Sequence, residues 1–275
     1  MTSFVQRVLG LRRPRRLSSV ILRRLRISHL FTIHTSGIRL RFAPTVWCSV
    51  LWEEPNFFRR DTQLLRRWLR PGDVMVDCGA NVGLLTVVGA DCVGDGGAVY
   101  AIEAHPKIFG WLQTNVKLNG GRVLLVHAAV GNGNGEITFT DGALDDGNHV
   151  SVDGSGVRVS MRRLDDIVPA ELSAVRLLKL DVEGYEKFVI EGGRRVVSQS
   201  EAIYFESSEL LFGRYGYRSS EFLQLLRNEG FEILRLDNPD VVTVVPPNYV
   251  SHEIENLLAV RDVSAFVSAT GYLFR

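Results

Sequence analysis

The stretch that decides the fold is residues 74–104, which read VMVDCGANVGLLTVVGADCVGDGGAVYAIEA. A short apolar run ends in Asp77, a turn with glycines at positions 79 and 83 follows, and a second apolar run ends in Glu103. This order is typical of an α/β sheet in which a strand leads through a glycine-rich turn into a helix and a second strand. Glycine lets the backbone approach a ligand closely, because it has no Cβ and adopts positive φ. The stretch therefore predicts a ligand site at the turn.

The charge pattern of the turn indicates which ligand it binds. A dinucleotide fingerprint reads G-x-G-x-x-G, and its middle glycine lets pyrophosphate sit on a helix N-terminus. Here Asn81 takes the middle position, and Asp77 adds negative charge beside the turn. Both features favour a cofactor with a cationic amino-acid end, such as S-adenosylmethionine (SAM). Glu103 lies about 20 residues past the turn, where a strand-end carboxylate accepts hydrogen bonds from ribose hydroxyls.

Strands alternate with helices along most of the chain, which predicts a doubly wound, mostly parallel Rossmann-like α/β sheet. Right-handed crossovers bring the carboxyl ends of such strands to one edge, where ligands bind. Four acids follow predicted strands and are expected at that edge: Asp77, Glu103, Asp181 and Glu206.

Individual elements are predicted from the same pattern. Thr32–Ile38 and Thr45–Leu51 are predicted as short strands, Thr62–Leu69 as a helix and Val123–Val130 as one strand. Residues 241–252 are predicted to be a link between the final strands.

A second dense motif, KLDVEGYE, covers residues 179–186. A buried strand, Leu177–Leu180, is followed by Asp181, then Glu183, then a glycine that opens a helix. Two acids at a strand end are costly unless cations, hydrogen-bond donors or a metal ion meet them. Capping of the following helix accounts for Glu183 reasonably well. It accounts less well for Asp181, which is expected at the ligand edge.

Together these motifs resemble the FkbM-type family of SAM-dependent methyltransferases. The matching blocks are VDCGANVGLLT at 76–86, AIEAHP at 101–106, NVKLNG at 115–120, HAAVGNGNGEITF at 127–139, RRLDDI at 162–167 and KLDVEGYEKFVIEGG at 179–193. The resemblance implies a class I methyltransferase fold with an antiparallel final strand. It also implies methyl transfer usually to a hydroxyl oxygen, on a sugar, a glycolipid or a secondary metabolite.

The residues expected to bind SAM are Asp77, Gly79, Ala80, Asn81, Gly83, Glu103, Ala104, Ala128 and Ala129. By the resemblance, the turn contacts the amino-acid end of SAM, Glu103 holds the ribose and the two alanines after the third strand lie near the adenine. Asp181 would line the methyl-transfer site.

A hydroxyl acceptor benefits from a general base. The candidate catalytic residues are Asp181, Glu183, Glu206 and His149. His149 lies in a loop at 141–156 that can close over an acceptor, although a lone loop histidine is more often only solvated. A divalent cation on Asp181 and Glu206 is an alternative that the spacing does not require.

Residues 1–60 are interpreted as a basic, helical N-terminal extension, followed by a methyltransferase domain at 61–275. The first 52 residues contain ten arginines and no acid, although the net charge of the chain is only +1. Apolar residues recur there at helical spacing: Leu17, Val20, Ile21 and Leu25. A basic amphipathic helix can lie on an anionic membrane, so residues 1–28 are predicted to associate peripherally with one. A helix docked on the protein by its apolar stripe and a transit peptide are the alternatives.

Composition limits the class of protein, its cellular compartment and its partners. Hydrophobic residues make up 45% of the chain, enough for a continuous core. Three cysteines without metal-ligand spacing favour a reducing compartment, so we expect a cytoplasmic protein, peripheral to the inner membrane face where the basic segment binds. No groove-reading motif or aromatic platform accompanies the arginines, so nucleic acid is not expected as a partner.

Two other functions stay open from sequence alone. One is an NAD(P)-dependent oxidoreductase on a similar sheet, which predicts the G-x-G-x-x-G that this chain lacks. The other is a non-catalytic, membrane-associated binding protein on a methyltransferase scaffold. The basic N-terminus motivates this second function, and the acids at the ligand edge argue against it.

Overall fold

The computed structural model describes residues 14–120, 122–142, 147–238 and 240–275. The helices are α1 (Pro14–Arg24), α2 (Val46–Glu53), α3 (Arg59–Trp68), α4 (Leu84–Val93), α5 (Pro106–Asn119), α6 (Leu164–Ile167), α7 (Glu186–Gly192), α8 (Arg194–Gln199), α9 (Glu209–Gly213), α10 (Ser219–Asn228) and α11 (Val263–Thr270), with a 3₁₀ turn at Ser28–Leu30. The strands are β1 (Thr32–Thr35), β2 (Ile38–Arg41), β3 (Val74–Cys78), β4 (Ala98–Glu103), β5 (Val123–His127), β6 (Ala129–Gly131), β7 (Gly135–Phe139), β8 (Val157–Arg163), β9 (Leu177–Leu180), β10 (Ala202–Ser207), β11 (Glu232–Asn238), β12 (Val241–Val244), β13 (Glu255–Val260) and β14 (Leu273–Phe274).

The central sheet has nine strands in the order β14-β12-β11-β13-β10-β9-β3-β4-β5. Strands β10, β9, β3, β4 and β5 are parallel to one another, and β13 runs antiparallel between β10 and β11. This confirms the doubly wound, mostly parallel sheet, and β13 is the antiparallel strand that the resemblance implied. Because the parallel strands share one direction, the acids at the carboxyl ends of β3, β4, β9 and β10 lie along one edge, as predicted.

Helices cover both faces of this sheet and build two apolar cores. One core joins α3, α4, α5 and α11 through residues such as Leu64, Val87 and Phe266. The other joins α7, α8 and α10 through residues such as Val189 and Phe222. The central strands are buried on both faces, which is why they read as short continuous apolar runs in the sequence.

The described part of the N-terminal extension packs into the first core. The β1–β2 hairpin and α2 contribute Leu40, Phe42 and Leu51, each fully buried. Asn115 of α5 holds the hairpin against that helix, since its amide oxygen accepts from Arg41 N at 2.7 Å. Within the described residues, no helix combines the length and the apolar character needed to span a bilayer.

Several element predictions were wrong, each for a local reason. In the predicted strand Thr45–Leu51 only Thr45 is extended, and the rest belongs to α2, which Thr45 caps by accepting from Cys48 N at 3.0 Å. Val123–Val130 splits into β5 and β6, which lie in different sheets. The link predicted at 241–252 contains β12, and Thr32–Ile38 includes the turn of a hairpin.

Candidate active site

The turn after β3 is clamped between two neighbouring strands. The backbone N–H groups of Gly79 and Ala80 both donate to the carbonyl of Ile102 at 3.0 Å. Gly79 has φ +78°, and a Cβ there would lie 1.7 Å from the carbonyl oxygen of Asp181. Glycine is therefore required because the end of β9 packs directly against the turn, before any ligand is considered.

Asn81, which replaces the middle glycine of a dinucleotide fingerprint, adopts the left-handed conformation with φ +50°. Asparagine tolerates this region because its short side chain hydrogen-bonds locally. Here its Oδ1 accepts from Val82 N at 2.7 Å. Its own N–H donates to Glu103 Oε2 at 2.9 Å, so the turn is tied to the end of β4.

Glu103 is 8% exposed and lines the cleft beside the turn. Its Oε2 accepts from Asn81 N at 2.9 Å and its Oε1 from His105 N at 2.8 Å. Burial raises the pKa of Glu103, and these two backbone hydrogen bonds oppose the rise. Each carboxylate oxygen can accept a second hydrogen bond, so the group can still receive ribose hydroxyls. Glu103 therefore lies in the cleft and also holds the turn, and its contact with the ribose stays a prediction.

Lys179 is the residue at this edge that the sequence reasoning missed. Its Nζ lies 3.0 Å from Asp77 Oδ1, 3.4 Å from Asp181 Oδ2 and 2.9 Å from the carbonyl oxygen of Gly79. Burial lowers the pKa of Lys179, but the carboxylates of Asp77 and Asp181 outweigh it and raise that pKa above its ordinary value. The sequence feature that could have identified Lys179 is its place inside the otherwise apolar strand Leu177–Leu180.

Asp77 and Gly83, two residues expected to contact the cofactor, lie in contact with the support of the turn. Asp77 is completely buried beneath the turn, where Thr86 Oγ1 donates to its Oδ2 at 2.6 Å and Lys179 neutralises its charge. Gly83 begins α4, and a Cβ there would lie 2.7 Å from Leu112 Cδ1. Neither residue lines the cleft. Asp77 contacts Thr86 and Lys179 instead, and Gly83 packs against Leu112.

The cleft itself extends across the ends of β4 and β6. On this side its walls are mostly small or apolar, and they include Ala104, His105, Ile108, Ala128, Ala129 and Val130. The predicted residues Ala104, Ala128 and Ala129 therefore lie together next to Glu103. Ala80 lines an adjoining, smaller cavity on the other side of the turn, together with Leu84 and Lys179.

Three carboxylates meet at the opposite end of the same cleft. One oxygen from each of Asp181, Glu183 and Glu206 lies within 4.8 Å of the other two. Among the described residues, Glu206 Oε2 is buried and has no hydrogen-bond partner. Burial first, and then the charges of Asp181 and Glu183, raise the pKa of Glu206 to about 10. Glu206 therefore carries a proton at neutral pH unless a cation joins the group.

The backbone that carries Glu183 is strained. Glu183 has φ +56° and Gly184 has φ +95°. A Cβ on Gly184 would lie 2.5 Å from the carbonyl oxygen of Leu211. A non-glycine residue in this region costs about 1–3 kcal/mol, and such residues cluster at active sites and ligand clamps. Glu183 lines the cleft. Oxygen ligands of this kind are those that Mg²⁺ and related divalent cations take.

The histidine prediction is only partly matched by the geometry. Gly147, Asn148 and Val150 line the cleft, but the ring of His149 turns to the carbonyl of Gly147, with Nδ1 at 2.6 Å. Residues 143–146 of this loop lie outside the described residues. The histidine that does line the cleft is His105, which is 2% exposed and has Nε2 3.2 Å from Asp141 Oδ1.

The remaining wall comes from the N-terminal extension. Trp47 of α2 and Phe58, just before α3, line both cavities beside the turn. Their ring centroids are 5.1 Å apart in an edge-to-face arrangement. Tyr185 and Asn256 complete the wall near the three carboxylates. The sequence did not connect these aromatic residues with the site, because no motif links them to the turn.

Comparison with known proteins gives a family. Residues 77–233 match the family model described as the methyltransferase FkbM domain. A search of curated proteins found no match. This match over more than half of the chain confirms the family resemblance that the motifs predicted.

Solved structures with a similar fold include several methyltransferases at low identity. The SAM-dependent O-methyltransferase of Thermotoga maritima has 16% identity and a TM-score of 0.44, with 84% of this chain and 77% of that chain covered. The precorrin-6y C5,15-methyltransferase of Geobacter metallireducens has 16% identity and a TM-score of 0.43, with 74% and 87% covered. Aeropyrum pernix fibrillarin, solved with SAM, has 15% identity and a TM-score of 0.42, with 74% of each chain covered. By its match to the family model, the chain belongs to the FkbM family of SAM-dependent methyltransferases.

Proposed function

We propose that this methyltransferase transfers the methyl group of SAM to a hydroxyl oxygen of a sugar, a glycolipid or a secondary metabolite. The observation that carries the proposal is the group of three carboxylates, Asp181, Glu183 and Glu206, which shares one cleft with the cofactor turn. A hydroxyl becomes a better nucleophile when a nearby group takes its proton. Carboxylates at the methyl-transfer end of the cleft can do this.

The cleft suggests one orientation for the cofactor. The small residues Ala104, Ala128 and Ala129 suit the flat adenine ring, and Glu103 between them and the turn suits the ribose. The amino-acid end then lies over the turn at Gly79. This orientation places the sulfonium beside Asp181, whose negative charge complements it.

The chain's own residues have distinct parts in this scheme. Asp181 has a side chain that is 43% exposed and held by Lys179 at 3.4 Å, so it is the proposed acceptor of the hydroxyl proton. Glu206, protonated because its pKa is raised, donates a hydrogen bond that fixes the acceptor oxygen. The aromatic residues Trp47 and Phe58 close the cleft against water and offer apolar faces to the acceptor.

A divalent cation is compatible with the same group of oxygens. Asp181, Glu183 and Glu206 would be its ligands, and its charge would lower the pKa of an acceptor hydroxyl. Dialysis against a chelator followed by addition of Mg²⁺ or Mn²⁺ tests this. Restored turnover supports the metal, and full turnover in chelator assigns proton removal to the carboxylates alone.

The test of the proposed reaction is incubation of the full chain with isotope-labelled SAM and fractionated cell extract, followed by mass analysis. The expected product carries the label as a methyl ether. Asp181→Asn should bind SAM and lose turnover. The control is Asp166→Asn, because Asp166 does not line the cleft and its side chain accepts from Asn134 Nδ2 at 2.7 Å. Label on nitrogen or carbon would contradict O-methylation. Thermal-shift titration of SAM against NAD separates this function from an oxidoreductase, and lack of any turnover favours a non-catalytic scaffold.

We also propose a cytoplasmic location for the enzyme. Its three cysteines do not pair with one another and two of them, Cys48 and Cys78, are buried, as a reducing compartment permits. Fractionation of cells that express the chain with its native N-terminus would test this.

A further inference from the structure

We infer that the outward face of α1 binds the surface of an anionic lipid bilayer. This outer face is defined here by Leu17, Val20, Ile21, Arg24 and Leu25, which follows the helix directly. Its four aliphatic side chains are 37%, 45%, 44% and 63% exposed, in sequence order. An aliphatic stripe on a short surface helix normally faces the protein core. Here it faces away from the protein.

The helix is held on the protein by its other side. Ser19 Oγ donates to Glu53 Oε1 at 2.9 Å, and Trp52 Nε1 donates to Ser18 Oγ at 2.9 Å. Arg23 Nη1 donates to Ser49 Oγ at 3.2 Å. These contacts to α2 fix the rotation of α1 about its axis. The alternative that the apolar stripe docks on the protein is therefore wrong for the described residues, and the stripe is available to a partner.

The charge around the outer face identifies the partner. Arg15, Arg16, Arg24 and Arg26 are exposed, and within the described residues none of them has a carboxylate partner. Beside them an open recess of about 770 Å³ is lined by Arg23, Arg24, Arg26, His29, Trp111 and Val20, among others, and by no acid. Arginines take phosphate oxygens well, and tryptophan favours the headgroup level of a bilayer.

Exposed apolar side chains extend the surface beyond α1. Leu30 is 65% exposed and Phe31 is 39% exposed, directly after the recess residue His29. Aliphatic and aromatic side chains beside a cluster of arginines are the pattern of a helix that lies in the interface plane of a membrane.

Other partners fit this surface less well. Nucleic acid would engage the arginines but leave the aliphatic residues in water. A second copy of the chain would cover the aliphatic residues, but a two-fold contact would bring the same arginines against each other. An anionic bilayer satisfies both, because phosphate groups neutralise the arginines while the aliphatic residues enter the acyl boundary.

Sedimentation of the full chain with vesicles tests the inference, using phosphatidylcholine with and without phosphatidylglycerol. The wild type should sediment with the anionic vesicles, much less with the neutral ones, and less as salt is added. Ile21→Ser with Leu25→Ser should reduce the partition coefficient about tenfold or more. Arg16→Gln with Arg24→Gln should reduce it about fivefold for each arginine.

The controls are matched in exposure and lie elsewhere. Val244→Ser with Leu273→Ser replaces side chains that are 42% and 59% exposed, and Arg218→Gln removes an exposed arginine. All variants should keep the SAM affinity and thermal midpoint of the wild type, because the substituted side chains are exposed. A deletion of residues 1–28 is not used, because it would also remove Leu22, which packs on the core.

Three results would overturn the inference. The first is that the wild type does not bind anionic vesicles. The second is that the serine pair binds them as well as the wild type does, which would indicate attraction to any polyanion. The third is a dimer in sedimentation velocity that the serine pair abolishes, which would assign the face to a second copy.

Discussion

Lys179→Met tests whether the buried lysine supports the cofactor turn. The change keeps an unbranched side chain that is only one heavy atom shorter, and it removes the charge. Lys179 Nζ contacts Asp77 Oδ1 at 3.0 Å and Gly79 O at 2.9 Å, and the Asp77 side chain has no exposed surface. Removing one partner of a buried ion pair costs roughly 3–5 kcal/mol, because the other charge is left without compensation. That is a large part of the roughly 5–15 kcal/mol that stabilises a typical domain.

Urea unfolding measures this loss, and calorimetry with SAM measures the effect on the turn. Lys107→Met is the control, because Lys107 pairs with Asp141 at the surface, where its side chain is 71% exposed. An exposed pair contributes about 0–1 kcal/mol. The double variant Asp77→Asn with Lys179→Met should recover part of the loss, since the fully buried carboxylate is then removed and Asp181, which also loses its partner, is 43% exposed to water. Two results would contradict a supporting role for Lys179. One is that Lys179→Met lowers the free energy of unfolding no more than Lys107→Met does, and the other is that the effects of Asp77→Asn and Lys179→Met on it are additive.

The other predictions concern the turn and the carboxylate group. Glu103→Ala should weaken SAM binding by roughly 1.5–3 kcal/mol, measured by calorimetry, and an unchanged affinity in a folded variant would remove Glu103 from the site. Gly79→Ala should lower the free energy of unfolding as well as SAM affinity, because its Cβ would lie 1.7 Å from the carbonyl of Asp181; normal stability by urea titration would contradict this packing. Glu206 has its pKa raised from 4.5 to about 10, so the folded state holds a proton that the unfolded state releases, and stability should fall as pH rises through that window. Glu206→Gln should flatten this slope, and equal slopes for variant and wild type would show that Glu206 does not titrate as stated.

The fold could be predicted because its information is local. Leu177–Leu180 is apolar at three of four positions and buried on both faces, so its sequence alone marks a central parallel strand. Thr45–Leu51 shows the limit, since a short apolar run has no clear period and its helix depends on one capping hydroxyl.

For the site, the sequence predicts only which residues the sheet topology brings to the same edge. Parallel strands place Glu103, Asp181 and Glu206 at one edge without further information. The pairing of Asp77 with Lys179 depends on the register between β3 and β9, where these two residues are direct neighbours. Register is set by contacts across the sheet, so a motif search along the chain cannot supply it.

Trp47 and Phe58 form part of the cleft wall, yet both precede the segment that matches the family, residues 77–233. The turn with Glu103 and this part of the cleft wall are thus encoded in different stretches of the chain. Under the proposed function, we expect substitutions at these two positions to change which acceptor binds while leaving the turn, Glu103 and Lys179 in place. If the proposed function is right, α2 and the loop to α3 are the first place for an engineer to diversify in order to change the acceptor.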